Sequence, residues 1–307
     1  MTDEQHDVVV VGGGPAGVSC ALECFDIKLD VLLLEGGDAL GGQVADIPHA
    51  VRNVAVGRFA SGPAVQGAME DAATILGDRA RLGHAVSAVD VTAPAVEAAG
   101  TRFPARALVI ATGAARRELP AAPDGAFGGD VSYLIESRPG WFAGRDVVVV
   151  GGGDSATLDA LELAEAGSAV FLVHRSDRLT ARADVVDRLR REPRITELPG
   201  WEVEEVHGGE RVDGVTVVRP STGERRQLAV GGVVVKVGRA PRTGIVRGHL
   251  DLDGNGAVVV DAELRTSRRG VFAAGDVVAG SYWRVATALG HGSLAARSVL
   301  RHLRERP

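Results

Sequence analysis

Along this chain the longest apolar runs show no polar alternation. Val8 to Val11 and Val147 to Val150 are unbroken valine stretches stopped by glycine, the pattern of a parallel strand covered on both faces. A helix is expected after the first run, through Ala21 and Leu22, and then a second strand from Asp30 to Leu34. Ala169 to Val173 holds the matching strand position after the second run. The octapeptide DVVVVGGG stands at residues 7–14 and again at 146–153. Solenoid repeats recur every 20 to 50 residues or so, whereas one recurrence 139 residues on predicts two homologous nucleotide-binding units. The fold class expected is α/β, with two Rossmann-like dinucleotide-binding domains of three layers (ββα).

Composition fits that plan. The chain has 307 residues, room for about two domains of ~150 residues each. Its 41 glycines and 12 aromatic residues suit tight strand-to-helix turns and cores of Val, Ala and Leu. With 34 basic and 40 acidic side chains the net charge is -6, and no basic cluster offers a grip on nucleic acid. Two cysteines and an acidic start, MTDEQHD, point to a cytoplasmic protein. No apolar run approaches the roughly 20 residues that cross a bilayer, so no membrane span is expected.

The first fingerprint is Gly12, Gly14 and Gly17, G-x-G-x-x-G. Gly12 permits a sharp turn, Gly14 lets the backbone approach a pyrophosphate, and Gly17 lets helix and strand pack closely, with the anion on the helix N-terminus. Glu35 ends the second strand 18 residues beyond Gly17, where a carboxylate accepts hydrogen bonds from a ribose 2'-hydroxyl and repels a 2'-phosphate. In the second fingerprint Gly151, Gly153 and Ala156 give G-x-G-x-x-A, and the strand ends in His174 and Arg175. The acid has become a cation. His174 and Arg175, joined by Arg178 or Arg182, suit the extra phosphate of NADP; the alternative is that HRSDRLTAR is a solvated strand end.

These residues, with LGGQ at 40–43, ATG at 111–113, GGGDSA at 151–156, VGRAP at 237–241 and GVFAAGDV at 270–277, resemble the low-molecular-weight thioredoxin reductase group of flavoproteins and its relatives that act as ferredoxin-NADP reductases. The resemblance covers nearly the whole chain. It implies that the second domain is inserted into the first: residues 1–114 and 244–307 form a discontinuous FAD-binding domain, and 115–243 an NAD(P)-binding domain. Gly, Pro and Arg near both crossings are typical of exposed linkers, so domain rotation is expected. For FAD it implies Gly12, Gly14, Pro15, Ala16, Gly17, Glu35, Gly42, Gln43, Asn53, Val86, Ala111, Thr112, Gly113, Gly275, Asp276, Arg284, Val285 and Ala286. For NADPH or NADH it implies Gly151, Gly153, Asp154, Ser155, Ala156, His174, Arg175, Arg178, Gly238 and Arg239. A homodimer is implied as well. A helix beginning near Arg284 would stabilise negative charge on the flavin pyrimidine edge.

The departures matter. Where thioredoxin reductases carry C-x-x-C before the second fingerprint, the resemblance places Leu134 and Ser137, which form no disulfide. The segment, with Tyr133, looks more like the cysteine-free ferredoxin-NADP reductase branch. Ser176 and Thr180 stand where the family's 2'-phosphate motif has further arginines, so NADPH is merely preferred over NADH, and another nucleotide, even a second flavin, stays open. Cys20 and Cys24, four apart on the first helix, are candidate redox thiols or simply core residues. His291, His49 and Tyr133 are the candidate catalytic residues. No metal-ligand spacing occurs. The function expected is hydride transfer between NAD(P)H and FAD, with electrons passed to a small-molecule acceptor or a small redox protein such as ferredoxin or flavodoxin. Two alternatives remain: a flavin-binding protein with a degenerate second site, and a disulfide oxidoreductase using Cys20 and Cys24.

Overall fold

The computed structural model describes residues 5–47, 50–55, 57–135 and 140–305. The chain divides into two compact units, Met1–Ala115 with Ala240–Pro307, and Arg116–Arg239. Ala115 and Ala240 to Thr243, expected in the inserted domain, therefore cluster with the first unit. The crossings run through two short strands, β7 (Ala114–Arg116) and β16 (Arg239–Pro241).

In the first unit β1 (His6–Val11), β2 (Val31–Leu34), β3 (Ala80–Arg81), the second half of β6 (Thr101–Ile110) and β17 (Val271–Ala273) form a parallel sheet. The first half of β6 instead pairs antiparallel with β5 (Ala95–Ala98), which pairs with β4 (Val86–Asp90). Helices α1 (Pro15–Asp26) and α6 (Val285–Arg304) cover one face, beside α2 (Gly62–Ala73). Alternate valines explain the unbroken run. Val8 and Val10 pack into the cluster with α1 and α6, while Val9 and Val11 pack into the cluster with Val89, Val96 and Phe103 of the antiparallel layer. Both faces are dry, so every position must be apolar.

The second unit repeats the scheme. β8 (Val131–Ser132), β9 (Val147–Val150), β10 (Val170–His174), β11 (Ile195–Pro199) and β15 (Val233–Val235) make a five-stranded parallel sheet in the order β11-β10-β9-β15-β8. A short turn α3 (Ala126–Gly129) precedes β8, and α4 (Asp154–Glu165) and α5 (Ala183–Leu189) follow β9 and β10. The antiparallel layer is β12 (Glu202–Gly208), β13 (Val212–Arg219) and β14 (Glu224–Leu228). Val148 and Val150 meet Trp201 and Val217, and Val147 and Val149 meet Ala156 and Ala160 of α4. Among the described residues no helix is long and apolar enough to cross a membrane.

Candidate functional site

The three glycines of the first fingerprint occupy three different environments. Gly12 has φ +107, and a Cβ there would lie 2.5 Å from the Ala111 carbonyl oxygen. A Cβ on Gly17 would lie 1.8 Å from the Gly12 carbonyl oxygen. In front of Gly14 there is open space, with nothing within 4 Å of a Cβ. Gly14 is the N-cap of α1, Pro15 opens the helix, and no side chain caps the first turn. The amides of Ala16 and Gly17 thus keep their unfilled positive end, which suits an anion. The residues fit a dinucleotide pyrophosphate.

Beside that opening lie Glu35, Gly41, Gly42 and Gly275, and the other expected residues have contacts of their own. Glu35 accepts from the Gly13 amide at 2.6 Å and from the Gly37 amide at 2.7 Å, so both oxygens are anchored and retain further lone pairs. The Gly41 amide donates to the Gly13 carbonyl, and Gly42 lies against Gly14. Gln43 Nε2 donates to the Ala114 carbonyl beside Gly113. The Ala111 amide binds the Val11 carbonyl, and the Thr112 hydroxyl donates to the Arg242 carbonyl at 2.7 Å. Val86 opens β4 two residues after His84, whose amide binds the Glu35 carbonyl. Gly275, φ +82, lies against Ala16 and leads into Asp276, which accepts from the Ser281 hydroxyl. Arg284 is the N-cap of α6, whose first residues are Val285 and Ala286. Asn53 is exposed in the turn between Val51 and Phe59.

The second fingerprint repeats the geometry. Gly151 has φ +142 and a Cβ there would lie 2.4 Å from the Lys236 carbonyl oxygen, while Gly153 faces nothing nearer than the Thr180 hydroxyl at 3.8 Å. Gly153 is the N-cap of α4, again with no side-chain cap, and Ala156 packs beneath Gly151. Ser155 is exposed on the first turn. Gly238, φ +86, accepts from the Arg117 amide, and the Arg239 carbonyl accepts from Arg117 Nε.

Several expected roles need correction. His174 is not a solvent-facing cation at the strand end. Its ring is buried, with Nε2 3.2 Å from Glu197 Oε1. The helix after Val173 starts only at Ala183, beyond Thr180, which turns back on the Gly152 carbonyl through its amide and hydroxyl. Arg182 is tied to Asp154, by its amide at 2.8 Å and its guanidinium at 3.3 Å. Arg175 and Arg178 remain exposed at the strand end. The Tyr133 hydroxyl is engaged within its own unit: it accepts from the Leu119 amide and donates to the Ala122 carbonyl, and burial raises its pKa. His291 Nδ1 lies 3.3 Å from the Gly275 amide and accepts from it, and burial lowers its pKa against the opposing pull of Asp276. Cys20 and Cys24 are wholly buried between α1 and α6, and the hydrogen bond between them, with burial, pushes the Cys20 thiol well above its ordinary pKa. No thiolate nucleophile is presented there. His49 and Ser137 lie outside the described residues.

One feature was missed from the sequence. Lys236 and Asp159, both nearly buried, pair at 2.9 Å beneath the second fingerprint turn. The signal was present, since the 139-residue offset that aligns the two octapeptides sets Asp159 opposite Cys20.

The sequence profile of the pyridine nucleotide-disulphide oxidoreductase family matches residues 6–292. A thioredoxin reductase of Streptomyces clavuligerus is 35% identical, over 99% of this chain and 95% of that protein. One of Mycolicibacterium smegmatis is 34% identical, over 98% and 97%. Among solved structures, thioredoxin reductase of Lactococcus lactis has a TM-score of 0.79 at 29% identity, covering 97% of this chain and 99% of that one. A bacillithiol disulfide reductase of Bacillus cereus has a TM-score of 0.77 at 20% identity, a likeness of fold.

Proposed function

The chain belongs to the pyridine nucleotide-disulphide oxidoreductase family, whose cofactors here are FAD and a nicotinamide nucleotide, and from that premise we propose that it is an FAD-dependent NAD(P)H oxidoreductase that does not use a dithiol. In this reading the first unit holds FAD, the second holds NADPH or NADH, and the electrons leave to a small redox protein such as ferredoxin or flavodoxin, or to a small-molecule acceptor. The observation that carries it is the pair of open fingerprint glycines, Gly14 and Gly153, each ahead of an uncapped helix, with Glu35 at one strand end and Arg175 at the other. Bound FAD supplies the redox chemistry, accepting a hydride and releasing electrons. The protein's residues position and screen. Glu35, anchored on Gly13 and Gly37, would receive a ribose hydroxyl, the α1 amides would hold the pyrophosphate, and Asp276 with the start of α6 would line the flavin side. Anaerobic mixing with NADPH tests the reading: rapid loss of the flavin absorbance is expected. An unbleached flavin would instead favour a flavin-binding protein with a degenerate second site.

Thioredoxin is not expected as the acceptor, although the relatives compared are named thioredoxin reductases. The whole sequence has two cysteines, both buried on α1, and a flavin-to-thioredoxin relay needs an accessible dithiol. With NADPH and oxidised thioredoxin, no thiol formation above the protein-free rate is expected. Turnover at a rate comparable to flavin reduction would sink the proposal.

Nicotinamide preference is expected to be weak. Arg175 and Arg178 are the cations left at the strand end once Arg182 is held by Asp154 and His174 by Glu197. With Arg175 taken as the cation that reaches the 2'-phosphate, one charge-assisted contact at an exposed site supplies about 1.5 kcal/mol, the low end of the range for such bonds. Flavin reduction should therefore favour NADPH over NADH by less than about a hundredfold, equivalent to ~2.8 kcal/mol, and Arg175→Ala should bring the two close to parity. Retention of the full preference by Arg175→Ala would move the role to Arg178.

A further inference from the structure

Three of the five tryptophan and tyrosine side chains are engaged inside the second unit. Trp141 donates to Asp130 and stacks with Arg211, Trp201 lies between Arg219 and Arg226, and the Tyr133 hydroxyl is held by backbone groups. The other two, Tyr282 and Trp283, are neighbours in the first unit. They are 81% and 40% exposed, and neither ring has a hydrogen-bond or ring partner among the described residues. Trp283 has φ +52, a backbone conformation rare for a bulky residue and one that tends to be kept at functional positions. The Ser281 hydroxyl accepts from the Trp283 amide and donates to Asp276, both at 3.4 Å, which ties the two rings to the carboxylate assigned to the flavin side. Arg284, exposed, follows directly as the N-cap of α6.

Two more cations share this end of the unit. Val51 and Phe59 form an antiparallel bridge, exchanging backbone hydrogen bonds at 3.0 and 3.4 Å, so Arg52 and Arg58, the next residues inward, stand opposite each other. Both are exposed, and neither has an acidic partner among the described residues. Like charges set opposite one another are unfavourable until an anion joins them. Val54 and Phe59 line a hollow of about 440 Å³ together with Val18 and Ser19 of α1 and Leu289 of α6, which sets this turn against the opening turns of both helices. Tyrosine, tryptophan and arginine are the side chains most enriched at the energetic centres of protein interfaces. The chain as a whole carries a net charge of -6 and repels an acidic protein. Unpaired cations around two free rings are where such a protein gains attraction.

We propose that Tyr282, Trp283, Arg284, Arg52 and Arg58 form the docking face for an acidic electron-carrier protein. The inference rests on the reading that electrons leave the flavin to an external acceptor, and it names the chemistry of that acceptor. The rings fill the apolar centre of the contact, and the guanidiniums take the partner's carboxylates around it. One NADPH surrenders two electrons with its hydride, so two one-electron carriers are reduced while NADP+ and one proton are released.

The test uses the FAD-loaded protein with an acidic iron–sulfur ferredoxin as the probe. Calorimetric titration gives Kd, and NADPH-driven turnover is read through excess cytochrome c that reoxidises the ferredoxin, with the ferredoxin-free rate subtracted. Two variants are compared: Arg52→Glu combined with Arg58→Glu, and Trp283→Asn, whose asparagine tolerates the left-handed backbone. Each is expected to raise Kd and KM about tenfold, equivalent to ~1.4 kcal/mol, with kcat, flavin content and melting temperature near wild type. Added salt should weaken binding to wild type, and the charge reversal should abolish or invert that dependence. Menadione, small and uncharged, should be reduced by both variants at the wild-type rate. A parallel loss with menadione would assign the rings to a small-molecule acceptor, and dissociation of a dimer by Trp283→Asn in sedimentation would assign them to a second copy of this chain. Either result overturns the inference, as does a Kd within twofold of wild type in both variants. Failure of wild type to bind ferredoxin while NADPH bleaches the flavin would overturn it too and leave the proposed function standing, whereas an unbleached flavin removes both.

Discussion

Gly14→Asp is expected to empty the first unit of FAD while leaving the polypeptide folded. The open space before Gly14 admits a side chain without a clash, and its backbone, φ -72 and ψ -177, is one any residue adopts. What the variant adds is a carboxylate on the uncapped end of α1, where it caps the helix, occupies the pyrophosphate position and repels its charge. The purified variant should be colourless, with a far-ultraviolet spectrum like that of the wild-type apoprotein. Gly17→Ala is the contrasting control. Its methyl group would stand 1.8 Å from the Gly12 carbonyl oxygen, so α1 must move off the sheet, and that variant should lose stability as well as flavin. A yellow Gly14→Asp protein with normal flavin content would disprove the site.

Asp130→Ala should destabilise the second unit by about 3 kcal/mol, toward the low end of the cost of breaking a buried ion pair. The carboxylate has no solvent exposure and precedes β8. It binds Arg145 at 2.8 Å, Arg211 at 2.6 and 2.9 Å, the Val212 amide at 3.1 Å and the Trp141 indole N–H at 3.1 Å. One side chain thus joins β8, the approach to β9 and the start of β13. Arg145 and Arg211 keep partial access to water, 25% and 55%, which softens the loss. Calorimetry should show the transition of this unit roughly 10 °C lower. Burial alone would push the Asp130 pKa up, but the two guanidiniums and the Val212 amide outweigh it and hold the carboxyl well below the usual range. The stability it confers is therefore complete above the unfolded value of about 3.9 and is lost as pH falls toward the folded value. Asp130→Asn should flatten that acid limb. An unchanged limb would place the acid sensitivity elsewhere.

The repeated octapeptide was enough to call for two parallel-sheet units, because a strand dry on both faces must be apolar at every position and Val8 to Val11 has no other reading. The distinct duties of Gly12, Gly14 and Gly17 are likewise local, arising from chain spacing around one turn. Those constraints act over a dozen residues and leave their mark in order along the chain. The fates of His174, Tyr133, Arg182 and Lys236 do not. His174 ends a strand, where its ring could face solvent, but it is buried and paired with Glu197, 23 residues on. Arg182 reads as a free cation until Asp154, 28 residues before it, takes its amide and guanidinium. Tyr133 is committed to backbone groups of the preceding loop, and Lys236 to a carboxylate on a helix 77 residues earlier. What the sequence by itself determined was thus the backbone pattern, which follows from local sterics and burial. Which polar side chains remain available for chemistry was decided by the tertiary structure alone, since a charge or hydroxyl is spent by whichever partner the fold brings within hydrogen-bonding reach.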